Sequence, residues 1–386
     1  MREKVIKVIQ EINDELIELN EYIYENPELG NKEYKSCKAH VDILREHGFD
    51  VEEKYLGIGT AFRATFDSGR SGPTIAYLSE YDALPMLGHG CGHNILGTTS
   101  TGAGIVLGKL ISDIGGRVVV LGTPAEETDG AKVDMANRGT FDDIDVAMIA
   151  HPMDKHYRSG KSLAMEAIQF TFKGKSAHAA AYPEKGINAL DAVINTFNNI
   201  NALREHIRSD ARVHGVIVEG GKAANIVPDL AIAQFYVRAT SKKYLQELIV
   251  KIKNCAKGAS LAAGTELEIS NYEATYDNLV TNQILSKTYC NNLESMGVQN
   301  IYDRPDGGSL DTGNVSHVCP TIHPYFSISN NDIVAHTKEF ADASVMPFAY
   351  EEMKKTIGAL VLTAIDVINN KELLKKIKEE FEVTEK

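Results

Sequence analysis

The sequence predicts an α/β protein in two parts: a mostly parallel sheet flanked by helices, and a smaller α+β domain inserted into it. Three observations predict this. Apolar strand-like runs at 74–79, 117–123 and 144–150 alternate with helical patterns, as in a parallel sheet. From about residue 164 the texture changes to the order β-α-β-β-α-β, which is ferredoxin-like. Beyond residue 276 the helix and strand patterns of the first part resume. A chain of 386 residues is long enough for two domains. The boundaries are read as 1–163 with 276–386 for the first domain and 164–275 for the second.

Each element has its own signal. Val5, Ile9, Ile12, Leu16, Leu19 and Ile23 recur at steps of four and three, one face of an amphipathic helix. That helix ends near Asn26-Pro27, because the residue before proline is pushed out of the helical region. A second helix covers 34–47 and Gly48 stops it; His40 and His47 are read as surface positions on it. The stretch 98–110 is small and apolar, as in a tightly packed buried helix. In the insertion, Ile168, Phe170 and Phe172 alternate as one face of a half-buried strand. A helix over 188–207, strands at 213–218 and 230–239, a helix over 241–262 and a strand at 265–272 complete it. The first part resumes with a helix over 282–296, a strand at 321–329 and a long helix over 343–369. The charged end, 371–386, is read as a solvated helix.

Composition narrows the function. A hydrophobic fraction of 43% is ample for real cores, and a net charge of -13 argues against a nucleic-acid groove, which needs a basic field. Five scattered cysteines suit a reducing compartment better than a disulfide framework. Met1-Arg2-Glu3-Lys4 leads into a charged helix with no apolar signal core, and no apolar run is read as spanning a bilayer. A soluble, cytoplasmic protein without nucleic-acid or membrane partners is expected.

The chemistry centres on Gly88-His89-Gly90-Cys91-Gly92-His93-Asn94. Cys91 and His93, two apart in a tight loop, can aim at one point, and thiolate with imidazole suits a zinc-like ion. Alone, the stretch also fits a glycine-rich turn around a buried cysteine. The predicted strands decide the matter. Asp82 lies just past the first, Glu126 and Glu127 just past the second, and His151 just past the third. In parallel α/β sheets the active site lies outside the carboxyl ends of the strands, so these groups converge on one rim. The insertion adds His178 in a loop, Asn225 before a Val-Pro step, and Arg238 near a strand end.

These motifs resemble the co-catalytic metallopeptidase family that includes glutamate carboxypeptidase, aminoacylases, hippurate hydrolase and aminobenzoyl-glutamate hydrolase. Asn26-Pro27-Glu28-Leu29-Gly30, Cys91-Gly92-His93, Pro124-Ala125-Glu126-Glu127, Ser176-Ala177-His178-Ala179, Asn225-Ile226-Val227-Pro228 and His336-Thr337 follow in family order over nearly the whole chain. Glu80-Tyr81-Asp82-Ala83-Leu84-Pro85 and Leu310-Asp311-Thr312-Gly313-Asn314-Val315-Ser316 look closest to the branch with the aminobenzoyl-glutamate hydrolase subunit and the aminoacylase-1-like protein 2. The resemblance implies a metallopeptidase domain with an inserted lid or dimerisation domain, a homodimer through that insertion, and two divalent ions, zinc or manganese. His93 and His151 would hold one ion, Glu127 and His336 the other, and Cys91 would bridge them. Glu126 would be the general base, and Asp82 would orient a ligand. His178, from a neighbouring subunit, would stabilise the oxyanion, while Asn225 and Arg238 would grip a substrate carboxylate. Glu80 departs from the better-known branch, which has histidine there, and His93 then supplies the missing imidazole.

The implied reaction is hydrolysis of an amide whose amine half is an amino acid with a free carboxylate: an N-acyl amino acid, an aminobenzoyl-glutamate or a dipeptide. The Gly307-Gly308-Ser309 loop and the insertion are expected to shape specificity. Three competing readings remain at this point: a dipeptidase on the same site, a silent binding protein of the same fold, and a thiol hydrolase with Cys91 as nucleophile and His93 as base.

Overall fold

A computed structural model describes residues 1–304 and 307–384. The chain forms two compact units, Met1–Lys161 with the chain from Leu279 onward, and Ser162–Asn278.

The first unit opens with helices α1 (Arg2–Glu11), α2 (Asn13–Glu25) and α3 (Tyr34–Glu46). Strands β1 (Asp50–Glu53), β2 (Phe62–Asp67) and β3 (Thr74–Ser79) follow. Helix α4 (His93–Ile114), β4 (Arg117–Gly122), α5 (Ala131–Asn137), β5 (Val146–Met148) and β6 (His151–Met153) complete its N-terminal portion. The second unit runs β7 (Ala164–Lys173), α6 (Ala189–Leu203), β8 (Arg212–Glu219), β9 (Leu230–Ala239), α7 (Lys242–Ala263) and β10 (Glu266–Asn271). The chain then returns through α8 (Gln283–Ser295), α9 (Thr312–Ser316), β11 (Thr321–Ile322), β12 (Tyr325–Ser327), α10 (Lys338–Ala343), α11 (Pro347–Asn369) and α12 (Lys371–Val383).

The main sheet of the first unit has the order β1-β2-β4-β3-β5-β11. Its central strands β4, β3, β5 and β11 are parallel, and β1 and β2 are antiparallel additions at one edge. Alternation along β3 serves both faces. Ile75 and Tyr77 enter the core shared with α4 and α11, and Ala76 and Leu78 enter a smaller core with Met135 of α5. Helix α4 is long and apolar enough to cross a membrane by length and composition, but 83% of that apolar window is buried. It is the core helix of the unit. At Gly97 a Cβ would come within 2.4 Å of the Glu80 carbonyl oxygen, so only glycine lets α4 lie this close to the end of β3.

The second unit is a four-stranded antiparallel sheet, β10-β7-β9-β8, with α6 and α7 packed on it. That arrangement is the ferredoxin-like one that the element order implies. Strand β8 is an edge, and Val216, Ile217 and Val218 on it are exposed.

Several expectations need correction. The first helix is two, because Ile12 leaves helical geometry at φ -109 and ψ 4. His40 is fully buried, bonded to Thr101 and packed on Tyr81, so it is a core histidine. His47 is half-buried and pairs with Glu15 at 2.8 Å. The strand expected over 321–329 breaks at His323-Pro324; β11 stays in the main sheet while β12 pairs with β6. Pro347 at the first turn of α11 separates it from α10. Helix α12 docks: Ile377 is buried, and Glu380 accepts from the Gln283 and Ile284 N–H groups. Glu385 and Lys386, at the end of the expected tail helix, lie outside the described residues.

Candidate di-metal active site

The parallel strands deliver the site. Glu80 and Asp82 follow β3, Glu126 and Glu127 follow β4, and His151 and His323 follow β5 and β11. His151 differs from expectation in opening a second short strand, β6, with its backbone paired to Tyr325 of β12. His93 is the first residue of α4, not part of a free loop. Gly92 before it sits at φ 75, and a Cβ there would meet Pro152 at 2.6 Å. Glycine is required to bring Cys91 and His93 onto one point.

Two donor triads share Cys91. Cys91, His93 and His151 each offer one donor atom within 4.8 Å of the others, and so do Cys91, Glu127 and His336. A third cluster joins His93, Glu126 and Glu127. Tautomers follow from the neighbours. His151 Nδ1 donates to the Pro152 carbonyl at 2.7 Å, leaving Nε2, which lies 3.5 Å from Cys91 Sγ. His93 Nδ1 meets Asp82 Oδ1 at 2.9 Å, which turns its Nε2 inward. The other oxygen of Asp82 accepts from the Glu127 N–H at 3.0 Å, so one buried carboxylate steadies a ligand of each triad. His336 takes a left-handed φ of 65, donates its N–H to the Gly90 carbonyl at 2.8 Å, and places Nε2 3.3 Å from Glu127 Oε1. Sulfur, imidazole and carboxylate donors converging on two points fit a pair of divalent cations.

The electrostatics are those of a dry, crowded site. Burial, reinforced by the charges of Glu80, Asp311 and Glu127, pushes the Glu126 carboxyl well above the usual carboxylate range. Burial opposes charge at Glu127 too, but the His336 hydrogen bond and His93 outweigh it and hold Glu127 below that range. Burial lowers His151 to about 3, keeping it a neutral donor. Burial opposes charge on His93 as well, but Asp82 and Cys91 outweigh it and raise it well above the ordinary imidazole value. Burial also pushes the Cys91 thiol up. Both ring nitrogens of His93 face carboxylates, Asp82 at 2.9 Å and Glu80 at 3.2 Å.

Sequence reasoning missed four contributors. Glu33 is buried and accepts from the Ala125 N–H at 2.8 Å, propping the left-handed Ala125 (φ 61) that leads into Glu126. Lys132 is buried between Glu80 and Asp311. His323 is buried and stacks on His151 at 5.7 Å. Tyr325 packs on both rings and accepts a hydrogen bond from Arg304.

His178, Asn225 and Arg238 lie in the second unit. His178 is exposed, and its Nδ1 accepts from the Ala180 and Ala181 N–H groups at 3.3 and 3.2 Å. Its Nε2 therefore carries the proton and is a donor. The Asn225 carbonyl accepts from the Ala179 N–H at 3.0 Å, so the two loops lie together. Arg238 is on β9, its guanidinium 5.5 Å from the Tyr236 ring centre.

Fold and donor set together define a metallohydrolase, and comparison with known proteins gives the family. Residues 164–262 match the peptidase dimerisation domain of M20 enzymes. The Xaa-Arg dipeptidase of Mus musculus is 36% identical over 99% of this chain and 92% of its own length. One of the subunits of the p-aminobenzoyl-glutamate hydrolase of Escherichia coli is 33% identical over 72% of this chain and 62% of its own. A dinuclear metal-binding M20 peptidase from Bacillus subtilis shares the fold, with a TM-score of 0.68, 18% identity, and coverage of 93% of this chain and 100% of that one. The chain belongs to the M20 peptidase family, and it is a metal-dependent hydrolase of amide bonds.

Proposed function

We propose that this enzyme is a dipeptidase or N-acyl amino acid hydrolase acting on substrates with a free carboxylate on the amine half. The observation that carries the reading is the pair of donor triads sharing Cys91, with Glu126 beside them. Cys91, His93 and His151 would hold one divalent ion, and Cys91, Glu127 and His336 the second, zinc or manganese. Bound there, the pair would lower the pKa of a shared water toward neutral.

The chain's own groups do the rest. Glu126 takes the proton of the attacking water and returns it to the leaving amine. Asp82 keeps His93 and Glu127 in register. His178 of a neighbouring subunit would donate its Nε2–H to the oxyanion, and Asn225 with the forked guanidinium of Arg238 would hold the carboxylate. A homodimer through the second unit is part of the proposal. The exposed apolar edge of β8 supports it, since an uncovered strand edge is a template for pairing, as does the match to a dimerisation domain. Similarity over nearly the whole chain to proteins called Xaa-Arg dipeptidases supports a dipeptide rather than aminobenzoyl-glutamate as the substrate.

The test is hydrolysis of a panel of dipeptides, N-acyl amino acids and aminobenzoyl-glutamate with zinc or manganese added. Turnover is expected with dipeptides and is abolished by a chelator. Turnover that survives chelation would overturn the reading.

A further inference from the structure

Lys132 is fully buried in the first turn of α5, and no step above uses it. Its Nζ lies 2.8 Å from Glu80 Oε1, 2.8 Å from Asp311 Oδ1 and 3.4 Å from Thr123 Oγ1. The backbone N–H of Lys132 donates to the other Asp311 oxygen at 3.2 Å. Glu80 and Asp311 are themselves buried. A core gains little from such an arrangement, since apolar residues of the same volume are commonly as stable or more so. Its use lies in what it holds.

The second oxygen of Glu80 identifies that use. Oε2 stands 3.2 Å from His93 Nε2, the ring atom that Asp82 leaves for a cation. Two ligands bound to one cation at about 2.1 Å, at angles between square and tetrahedral, are about 3.0 to 3.4 Å apart. Glu80 thus stands where a neighbouring ligand would stand. Yet, among the described residues, both triads form without it.

We propose that Lys132, braced by Asp311, is a positioning residue that restrains Glu80 from the cation held by Cys91, His93 and His151. That cation then keeps three protein ligands and an open place for water and substrate, as catalytic sites need. The inference rests on the triads being metal sites. Without the ammonium, the nearest compensating charge for the Glu80 carboxylate is the cation itself. The carboxylate turns to it and closes the open place.

Cobalt(II) loading tests this, because its visible absorption reports coordination number. Wild type, Lys132→Met, Glu80→Gln and the double variant are loaded and titrated with a competing chelator. Lys132→Met is expected to bind cobalt at least as tightly as wild type, with weaker visible bands as coordination rises. Its kcat is expected to fall about 100-fold, with KM little changed. In the double variant the wild-type spectrum and much of kcat return. Glu80→Gln alone keeps the wild-type spectrum, and this arm holds even where Lys132→Met does not fold. Lys132→Met that loses cobalt, a double variant that rescues nothing, or a changed spectrum in Glu80→Gln would each overturn the inference. Wild type that takes up no cobalt would overturn the metal reading itself, and the inference with it.

Discussion

The two sets of site residues are held in opposite ways. In the first unit, Glu80, Asp82, His93 and Lys132 are buried, and each is gripped by partners from other elements. In the second unit, His178 and Asn225 are exposed, and the contacts of His178 are to its own loop and the neighbouring one. The first set is organised by the fold before anything binds. The second presents donors to solvent. The difference separates groups that must hold concentrated charge in place from groups that need only reach a ligand.

The sharpest break in this comparison comes from Glu126→Gln. Loss of the base is expected to lower kcat by on the order of 10³-fold while the metal content measured on the purified protein stays the same. Retained turnover would remove Glu126 from the mechanism. His178→Ala is expected to lower kcat by about 10² to 10³-fold, with unchanged metal content and unchanged melting temperature, because an exposed residue contributes little to stability. A fall in melting temperature comparable to that of a core variant would show that the second set is structural too.

Glu33 sharpens the comparison through pH. Burial, helped by the charge of Asp82, raises its carboxyl from 4.5 to about 7. The folded state then keeps a proton that the unfolded chain releases. The contribution of Glu33 is fully present below pH 4.5 and is lost as pH rises through 7. Glu33→Gln removes this titration and keeps an acceptor for the Ala125 N–H. Its stability relative to wild type should improve between pH 5 and pH 8 by up to about 3 kcal/mol, read from denaturant midpoints. An equal difference at both pH values would mean that Glu33 is ionised throughout. The smallest effect concerns packing alone: Gly97→Ala should cost about 1 to 3 kcal/mol, because the added methyl meets the Glu80 carbonyl. An unchanged melting temperature would show that α4 can move away from β3.

What was legible in the sequence follows the same division. Cys91, His93, Asp82, Glu127 and His151 were legible because strand ends and a two-residue spacing are local signals. The ferredoxin-like order was legible because each element carries its own period. Lys132 was not, since a lysine in a short helix normally reads as solvated, and its partners Glu80 and Asp311 lie 52 and 179 residues away along the chain. His40 failed for the same reason: its burial depends on α4 and Tyr81, distant in sequence. The split at His323-Pro324 was missed because an apolar run does not show which sheet it joins, and proline only marks where a strand can change partners.

The discontinuity of the first unit also sets an order of events during synthesis. Strand β11, which borders the sheet, and His336, which closes the second triad, come from the chain beyond the insertion. A ribosome therefore delivers all of Ser162–Asn278 before the first unit has its full sheet or its complete Cys91–Glu127–His336 set. The inserted unit, contiguous in sequence, can fold as it emerges. Cys91, Glu126 and Glu127 wait as an unfinished edge until the chain through His336 arrives. A chaperone or an early metal ion would find its longest window of opportunity there.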